Sequence, residues 1–449
     1  MTGLSLLNIP PSSAAMDRIW CDETFLNASM EIERCWVMAA VAEGFAPDSV
    51  EAELDAAIEN VRTNPASVLA GTLSTGRPVA PLVDALLENA SDRLQQVLHL
   101  GLTTQDIIDG ALTLLRGQAI QTILADAEKC RENLQHLAAR HSTTVMLGRT
   151  NLQAAAPITF GLFVAEGCAE LQRNCGRIRQ RHMAAQTVIL SGAVGLSEPF
   201  AEKSDAVRHR TAADLGLSYD PKMRSAPRDQ IVDLLFSVGL LAKGLGRMAR
   251  SISHLQSDAT GELAEAQPGG SSAMPHKQNP RQAERIIMLS GQIDGILLNL
   301  MSATQTLHHR SGDSWMAEWV GMAAMFQCVH AQILSFGTLI ETLVVEEQRM
   351  HDNVTHHGLA IVSDRLFTAL SAVVGRDQAK SIVKAALAER ISTDGLAEFL
   401  EQHVLEQHVP AQQARNIAAA CSLEAIIESA QIQQACIMED LAAAAPNQL

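Results

Sequence analysis

The feature that most constrains this chain is an apolar rhythm of 3.6 residues running from Ile231 to Leu255. Ile231, Leu234, Leu235, Val238, Leu241, Leu245, Met248, Ile252 and Leu255 follow one another at i+3 and i+4 steps, the spacing that stacks side chains on one face of an α-helix. One helix of about 25 residues, roughly 37 Å long, is predicted. Phe236, Leu240 and Ala249 extend its apolar surface to a second side, and such a helix has to be enclosed by others. Similar periodicity covers 111–140, 159–188, 280–307 and 316–345, so a bundle of long helices is the expected architecture. We predict an all-α fold with very little sheet, divided into an N-terminal helical domain (1–110), a central helix bundle (111–345) and a C-terminal helical domain (346–449). A 3% aromatic share beside abundant Ala, Leu, Gln and Met favours helix over strand.

Charge narrows the function. The chain carries 34 Lys and Arg against 50 Asp and Glu, a formal charge of −16, which argues against a nucleic-acid or anionic-membrane surface. Any anionic ligand must be caught by a local site. The eight cysteines are scattered, with no CxxC and no zinc-type spacing, and read as buried reduced thiols. His356, His357, His403 and His408 have no acids or cysteines arranged around them as a metal shell, so no metal is expected. There is no GxGxxG, P-loop or HExxH motif, and no cofactor is expected. Residues 1–16 do not read as a signal peptide, and Asp233 and Lys243 interrupt the apolar stretch 231–248. A cytoplasmic protein is the expectation.

The most informative loop is Gln267-Pro268-Gly269-Gly270-Ser271-Ser272-Ala273-Met274-Pro275-His276-Lys277-Gln278-Asn279-Pro280. Its small residues expose backbone N–H groups that can form an anion nest beside Lys277, and the helix after Pro280 would add its N-terminal dipole. Deprotonating a carbon beside a carboxylate creates a dianionic aci-carboxylate, which needs fixed donors and a cation. Lys277 and Asn279 suit that task, and positive surroundings would depress the Ser271 pKa until its hydroxyl works as a base. Composition alone would read the same run as a glycine-serine linker.

The order of residues resembles the GSSxMPxKxN loop of the fumarase/aspartase superfamily. The resemblance implies that Ser271 is the catalytic base, beside Ser272, and that Lys277 and Asn279 bind the substrate carboxylate. It implies a homotetramer whose central bundles pack together, with each site assembled from three subunits. His99-Leu100-Gly101-Leu102-Thr103-Thr104-Gln105-Asp106 is similar to the superfamily's first block, placing His99, Thr103, Thr104 and Gln105 at substrate. Gly148-Arg149-Thr150-Asn151-Leu152-Gln153 is similar to the second, which implies the same for Thr150, Asn151 and Gln153. Either run alone reads as a helix cap, and Arg149 is expected to pair internally.

Within the superfamily the likeness is densest to the bacterial 3-carboxy-cis,cis-muconate cycloisomerase branch, over roughly residues 70 to 330. Arg228-Asp229, Arg310-Ser311, Trp315 and Ala317-Glu318-Trp319 belong to it, so Arg228 and Arg310 are expected to grip carboxylates. His308 is held open between substrate contact and helix cap, and His309 is read as a cap. The branch implies a small polycarboxylate substrate and a place in aromatic catabolism. Family members carry a histidine directly after the GRT threonine or directly after the glutamine, where this chain has Asn151 and Ala154. Arg77-Pro78 and Ser225-Ala226-Pro227 also depart from the branch pattern. A missing general acid matters least when the leaving group departs as a stable anion. The alternatives are therefore a lyase expelling a group such as nitrite from a substituted succinate, or a catalytically silent carboxylate-binding oligomer.

Overall fold

The computed structural model describes residues 12–270, 273–405 and 410–443. The helix predicted from the apolar rhythm runs Asp229–Leu255, and the other long helices are Thr104–Arg140, Phe160–Ala185, Arg281–Ser302 and Gly312–Glu341. In the first of these, Leu234, Leu235, Val238, Leu241, Leu245, Met248 and Ile252 are at most 3% exposed. Each such side chain stabilises the fold by roughly 1.5–3 kcal/mol. The architecture is mostly helical, as the sequence predicts.

Alpha-carbon contacts divide the chain into two compact units, each drawn from three stretches. One holds 1–126, 174–243 and 289–333, and the other 127–173, 244–288 and 334–449. In the first unit, helices Asp22–Ala42, Ser49–Thr63, Ala66–Thr75 and Val79–Leu87 precede the start of Thr104–Arg140. At the start of that helix the Asp106 carboxylate reaches back to accept the Thr103 N–H at 2.9 Å.

The second unit contains what little sheet the described residues form. Strands Val145–Thr150 and Gln153–Thr159 make an antiparallel hairpin, and Leu263–Glu265 pairs with Leu343–Val345. The C-terminal helices Ser363–Val374, Arg376–Ala388 and Leu396–Leu405 enclose a separate core around Leu366, Leu370, Leu396 and Leu400.

One expectation needs correction. Cys21 is half-buried and Cys436 exposed, while the other six thiols are buried; none of the eight forms a disulfide. Among the described residues the segments long and apolar enough to cross a bilayer are Gly312–Glu341 and Glu347–Val374, and 61% of the apolar window in the first is buried inside the fold.

Candidate active site

The first unit builds a polar cluster on the opening turns of Thr104–Arg140. Asp109 accepts hydrogen bonds from Arg228 Nη1 at 2.8 Å, Arg228 Nη2 at 3.3 Å, Trp315 Nε1 at 2.8 Å and Gln105 Nε2 at 3.2 Å. Glu318 takes the other edge of Arg228, with Nε at 2.8 Å and Nη2 at 2.5 Å. Arg116, fully enclosed nearby, donates to the Ala185 carbonyl. Burial lowers the Arg116 pKa to about 10, with the charge of Arg228 also pulling it down and Glu318 and Asp109 pulling it up. Burial would lower the Arg228 pKa too, but Asp109 and Glu318 more than reverse it. Two guanidiniums thus face two carboxylates, and the buried cluster is neutral.

This geometry corrects the expectation that Arg228 grips substrate: it is 5% exposed and its donors are already taken. Gln105, 3% exposed, links Asp109 to Arg310 instead of projecting outward. Arg310 donates from Nε to Gln105 Oε1 at 2.6 Å and from Nη1 to Thr103 Oγ1 at 3.2 Å. Its remaining nitrogen, Nη2, is buried without a partner. Thr104 lies half-buried in the first helical turn.

His99 is engaged from within. Its Nδ1 lies 2.5 Å from Glu33 Oε1, and its backbone N–H donates to Glu33 Oε2 at 3.1 Å, with Glu33 wholly buried. Burial would lower the His99 pKa, but the hydrogen bond and charge of Glu33 raise it on balance. His308 is exposed in a left-handed conformation, with φ of 53°.

The second unit carries the other two motifs. Arg149 forms a two-pronged ion pair with buried Glu262, at 2.9 and 2.5 Å, as the sequence reading expects, and Asn353 adds a third bond to the same carboxylate at 2.7 Å. This clamp fixes the hairpin whose tip is Thr150-Asn151-Leu152-Gln153. Thr150 pairs with Gln153, leaving a two-residue turn in which Asn151 and Leu152 have φ of 52° and 62°. Positive φ at both central residues is the turn type that suits the twist of paired strands, and Asn is favoured there. Thr150, Asn151 and Gln153 are therefore exposed on a hairpin, and neither on a helix cap. Two cavities of about 680 Å³ adjoin the tip. His254 lines both, with Arg250 and Asn151 in one and Gln153, Arg349 and His356 in the other.

Ser271 and Ser272 lie outside the described residues. The neck of their loop is closed by reciprocal backbone hydrogen bonds between Gly269 and Asn279, both 2.9 Å, and by Asn279 Nδ2 donating to the Gly269 carbonyl at 3.0 Å. A Cβ on Gly269 would lie 2.2 Å from Arg281 Cγ, so a larger residue there has to displace the Arg281 side chain. Lys277 is exposed. The N-terminus of Arg281–Ser302, expected to face an anion, is already capped. The Glu265 carboxylate accepts the N–H groups of Gln282 at 3.1 Å and Ala283 at 3.0 Å, which removes the helix dipole from the loop's charge balance.

A sequence-family model described as lyase matches residues 12–295. The chain belongs to the fumarase/aspartase superfamily. It is 30% identical to 3-carboxy-cis,cis-muconate cycloisomerase of Pseudomonas aeruginosa over 379 residues, covering 83% of this chain and 82% of that protein. It is 31% identical to nitrosuccinate lyase of Streptomyces davaonensis over 394 residues, covering 85% and 82%. The crystal structure of the 3-carboxy-cis,cis-muconate lactonizing enzyme from Pseudomonas putida superimposes with a TM-score of 0.81 at 25% identity, covering 97% of this chain and all of that one.

As a superfamily member, the protein is an enzyme of the lyase and cycloisomerase type. Asp109, Glu318, Glu262 and Glu265 escaped the sequence reading as site-building residues. Their signal was present in part, since Asp109 sits one helical turn after Gln105 and Glu318 one residue before Trp319. Which arginine each carboxylate holds depends on partners 90 to 119 positions away, and no local pattern reveals that.

Proposed function

We propose that the protein acts beside a carboxylate through an aci-carboxylate intermediate, as a 3-carboxy-cis,cis-muconate cycloisomerase-type enzyme. The observation that carries this reading is the arm of Arg310, Thr103 and Gln105. It holds a guanidinium that has no carboxylate partner among the described residues, in a chain of net charge −16. Such a guanidinium is a ready receptor for a substrate carboxylate.

In ring closure a substrate carboxylate oxygen bonds to one alkene carbon, and the double-bond electrons move to its neighbour beside another carboxylate. The Ser271 hydroxyl then delivers a proton to that carbon. In reverse, the Ser271 alkoxide takes the proton and the ring oxygen leaves as a carboxylate. Lys277 and Asn279 balance the second negative charge of the intermediate. A carboxylate leaving group needs no acid, which fits Asn151 and Ala154 at the two positions where the family pattern places a histidine. Thr104, Thr150, Gln153, Ser272 and His308 complete the substrate contacts in this reading.

The site is shared among three subunits of a homotetramer, assembled around the 111–345 segment. The enzyme would work in the cytoplasm, in aromatic catabolism. The second reading is elimination of nitrite from a nitrosuccinate-like acid, favoured by the same missing histidine and by the 31% identity to a nitrosuccinate lyase.

An ultraviolet assay of the purified protein with 3-carboxy-cis,cis-muconate, run beside nitrosuccinate, argininosuccinate and adenylosuccinate, separates the readings. Loss of muconate absorbance is the expected result. Fumarate from one succinate with muconate untouched would transfer the assignment to a lyase, and inertness throughout would favour a silent binding oligomer.

A further inference from the structure

We propose that a cavity of about 280 Å³ in the first unit is a binding site for a small neutral phenol or aromatic alcohol, separate from the carboxylate-binding arm of Arg310. Every residue that lines it belongs to that unit.

Four helices build the walls. Leu26 of Asp22–Ala42, Val68 of Ala66–Thr75, and Ile108 and Leu112 of Thr104–Arg140 are each at most 8% exposed and form an apolar floor. Phe25 and, from Gly312–Glu341, Trp319 add two aromatic rings to the lining. These walls are set before any ligand arrives. A Cβ on Gly71 would lie 2.7 Å from Pro81, so the bare glycine lets helix Ala66–Thr75 close on helix Val79–Leu87. Trp319 packs edge-on against Trp315, with ring centres 4.6 Å apart and an interplanar angle of 79°. Trp315 is tied in turn through Nε1 to buried Asp109 at 2.8 Å. An apolar cavity whose walls are held apart stays dry and admits an apolar guest of matching shape.

The floor asks for a hydrocarbon ring, and the rim decides its charge. Asp22 is exposed at the opening together with Leu69 and Gly76, and its carboxylate turns anions away. The guanidinium of Arg77 lies 5.4 Å from the centre of the Trp319 ring and turns cations away from that wall. A neutral guest is what remains. Trp319 Nε1 is buried with no hydrogen-bond partner, so one wall holds a donor that lacks an acceptor, whereas the Asp22 carboxylate at the rim can only accept. A hydroxyl on the ring serves either group, its oxygen accepting from the indole N–H or its O–H donating to the carboxylate. The size agrees as well. Benzene fills an apolar cavity of roughly 150 Å³, which leaves space here for one ring and a short substituent.

The test is fluorine magnetic resonance of 4-fluorophenol with the full-length protein at neutral pH, beside 4-fluorobenzoate and 4-fluorobenzylamine as anionic and cationic probes. Wild type is expected to bind the phenol saturably, with a Kd below about 1 mM, and roughly ten-fold more tightly than either charged probe. Leu69→Trp fills the opening at a position that is 41% exposed. It should weaken phenol binding by roughly ten-fold or more and leave the circular dichroism spectrum unchanged. Asp22→Asn, a change confined to the exposed rim, should tighten 4-fluorobenzoate binding and keep that of the phenol, and it tests the site should the tryptophan disturb the fold. Excess succinate should leave the phenol signal in place. The proposal is overturned if the phenol fails to saturate, if all three probes bind alike, if binding survives in a folded Leu69→Trp, if Asp22→Asn discriminates against benzoate as strongly as wild type, or if succinate displaces the phenol.

Discussion

Asp109→Asn is the substitution that most directly tests how the first unit's polar cluster works. The change preserves shape and removes one charge. Four donor atoms now converge on Asp109: two from Arg228, and one each from Trp315 and Gln105, at 2.8 to 3.3 Å. In the variant one oxygen becomes an NH2 group, so a donor faces donors. Arg228 and Arg116 are left with Glu318 as the only carboxylate of the cluster, and an uncompensated positive charge stays buried. Removing one partner of a buried ion pair costs about 3–5 kcal/mol, and no rearrangement to solvent is open to Arg228 at 5% exposure. Urea unfolding followed by circular dichroism should record a loss of that order with an unchanged denaturant slope. Binding of succinate should weaken as well, because Gln105 loses the anchor that aims Arg310. A loss below about 1 kcal/mol, with weakened ligand binding, would refute the structural role of Arg228 and return it to the substrate-gripping role that its motif suggests.

Further outcomes are expected. Ser271→Ala should lower turnover by roughly 10²–10⁴-fold with the circular dichroism spectrum unchanged; wild-type turnover would place the base elsewhere. Gly269→Ala, which drives a Cβ toward Arg281, should cut turnover more than it lowers the melting temperature, and unchanged kinetics would mean the neck of the loop is free to open. Burial raises the Asp106 pKa from 3.8 to about 7, against the backbone hydrogen bonds from Thr103, Gly192 and Ser191 that lower it. The folded state then binds the proton more tightly than the unfolded state, so this group's contribution to stability falls as pH rises from 3.8 to about 7. Asp106→Asn should remove that slope from a series of urea titrations, and an unaltered slope would rule the assignment out. Light scattering on a sizing column should give a tetramer; a monodisperse monomer would end the shared-site reading.

The bundle was legible because its signal is local and repeated. Nine apolar positions between Ile231 and Leu255 determine a helix whatever surrounds it, and the observed Asp229–Leu255 follows from them. The hairpin was missed for the converse reason. Its strands are short, Ala154, Ala155 and Ala156 carry little strand preference, and the turn relies on Asn151 and Leu152 accepting positive φ. In the site, residue types were readable from motif order, whereas allegiances were not. Arg149 is expected to pair internally, but Arg228 and Arg310 carry the same expectation of gripping a carboxylate. One is clamped by Glu262, one is enclosed between Asp109 and Glu318, and one, half-buried, keeps a buried nitrogen without a partner. Burial and partner geometry separate them, and both are properties of the folded chain.

The two-residue turn at the hairpin tip bears on how such a scaffold changes its chemistry. At position 151 the backbone is left-handed, a conformation in which asparagine, aspartate and histidine are the side chains most at ease. The family resemblance leads one to expect a histidine here or directly after Gln153, and this chain has Asn151 and Ala154. Exchange between histidine and asparagine at 151 keeps a side chain that tolerates this backbone, alters the lining of the cavity that Asn151 borders, and in the genetic code takes a single base. The tip is thus an interchangeable fitting on a rigid mount. A lineage built on it can gain or lose an acid at the leaving group without passing through an unfolded intermediate form.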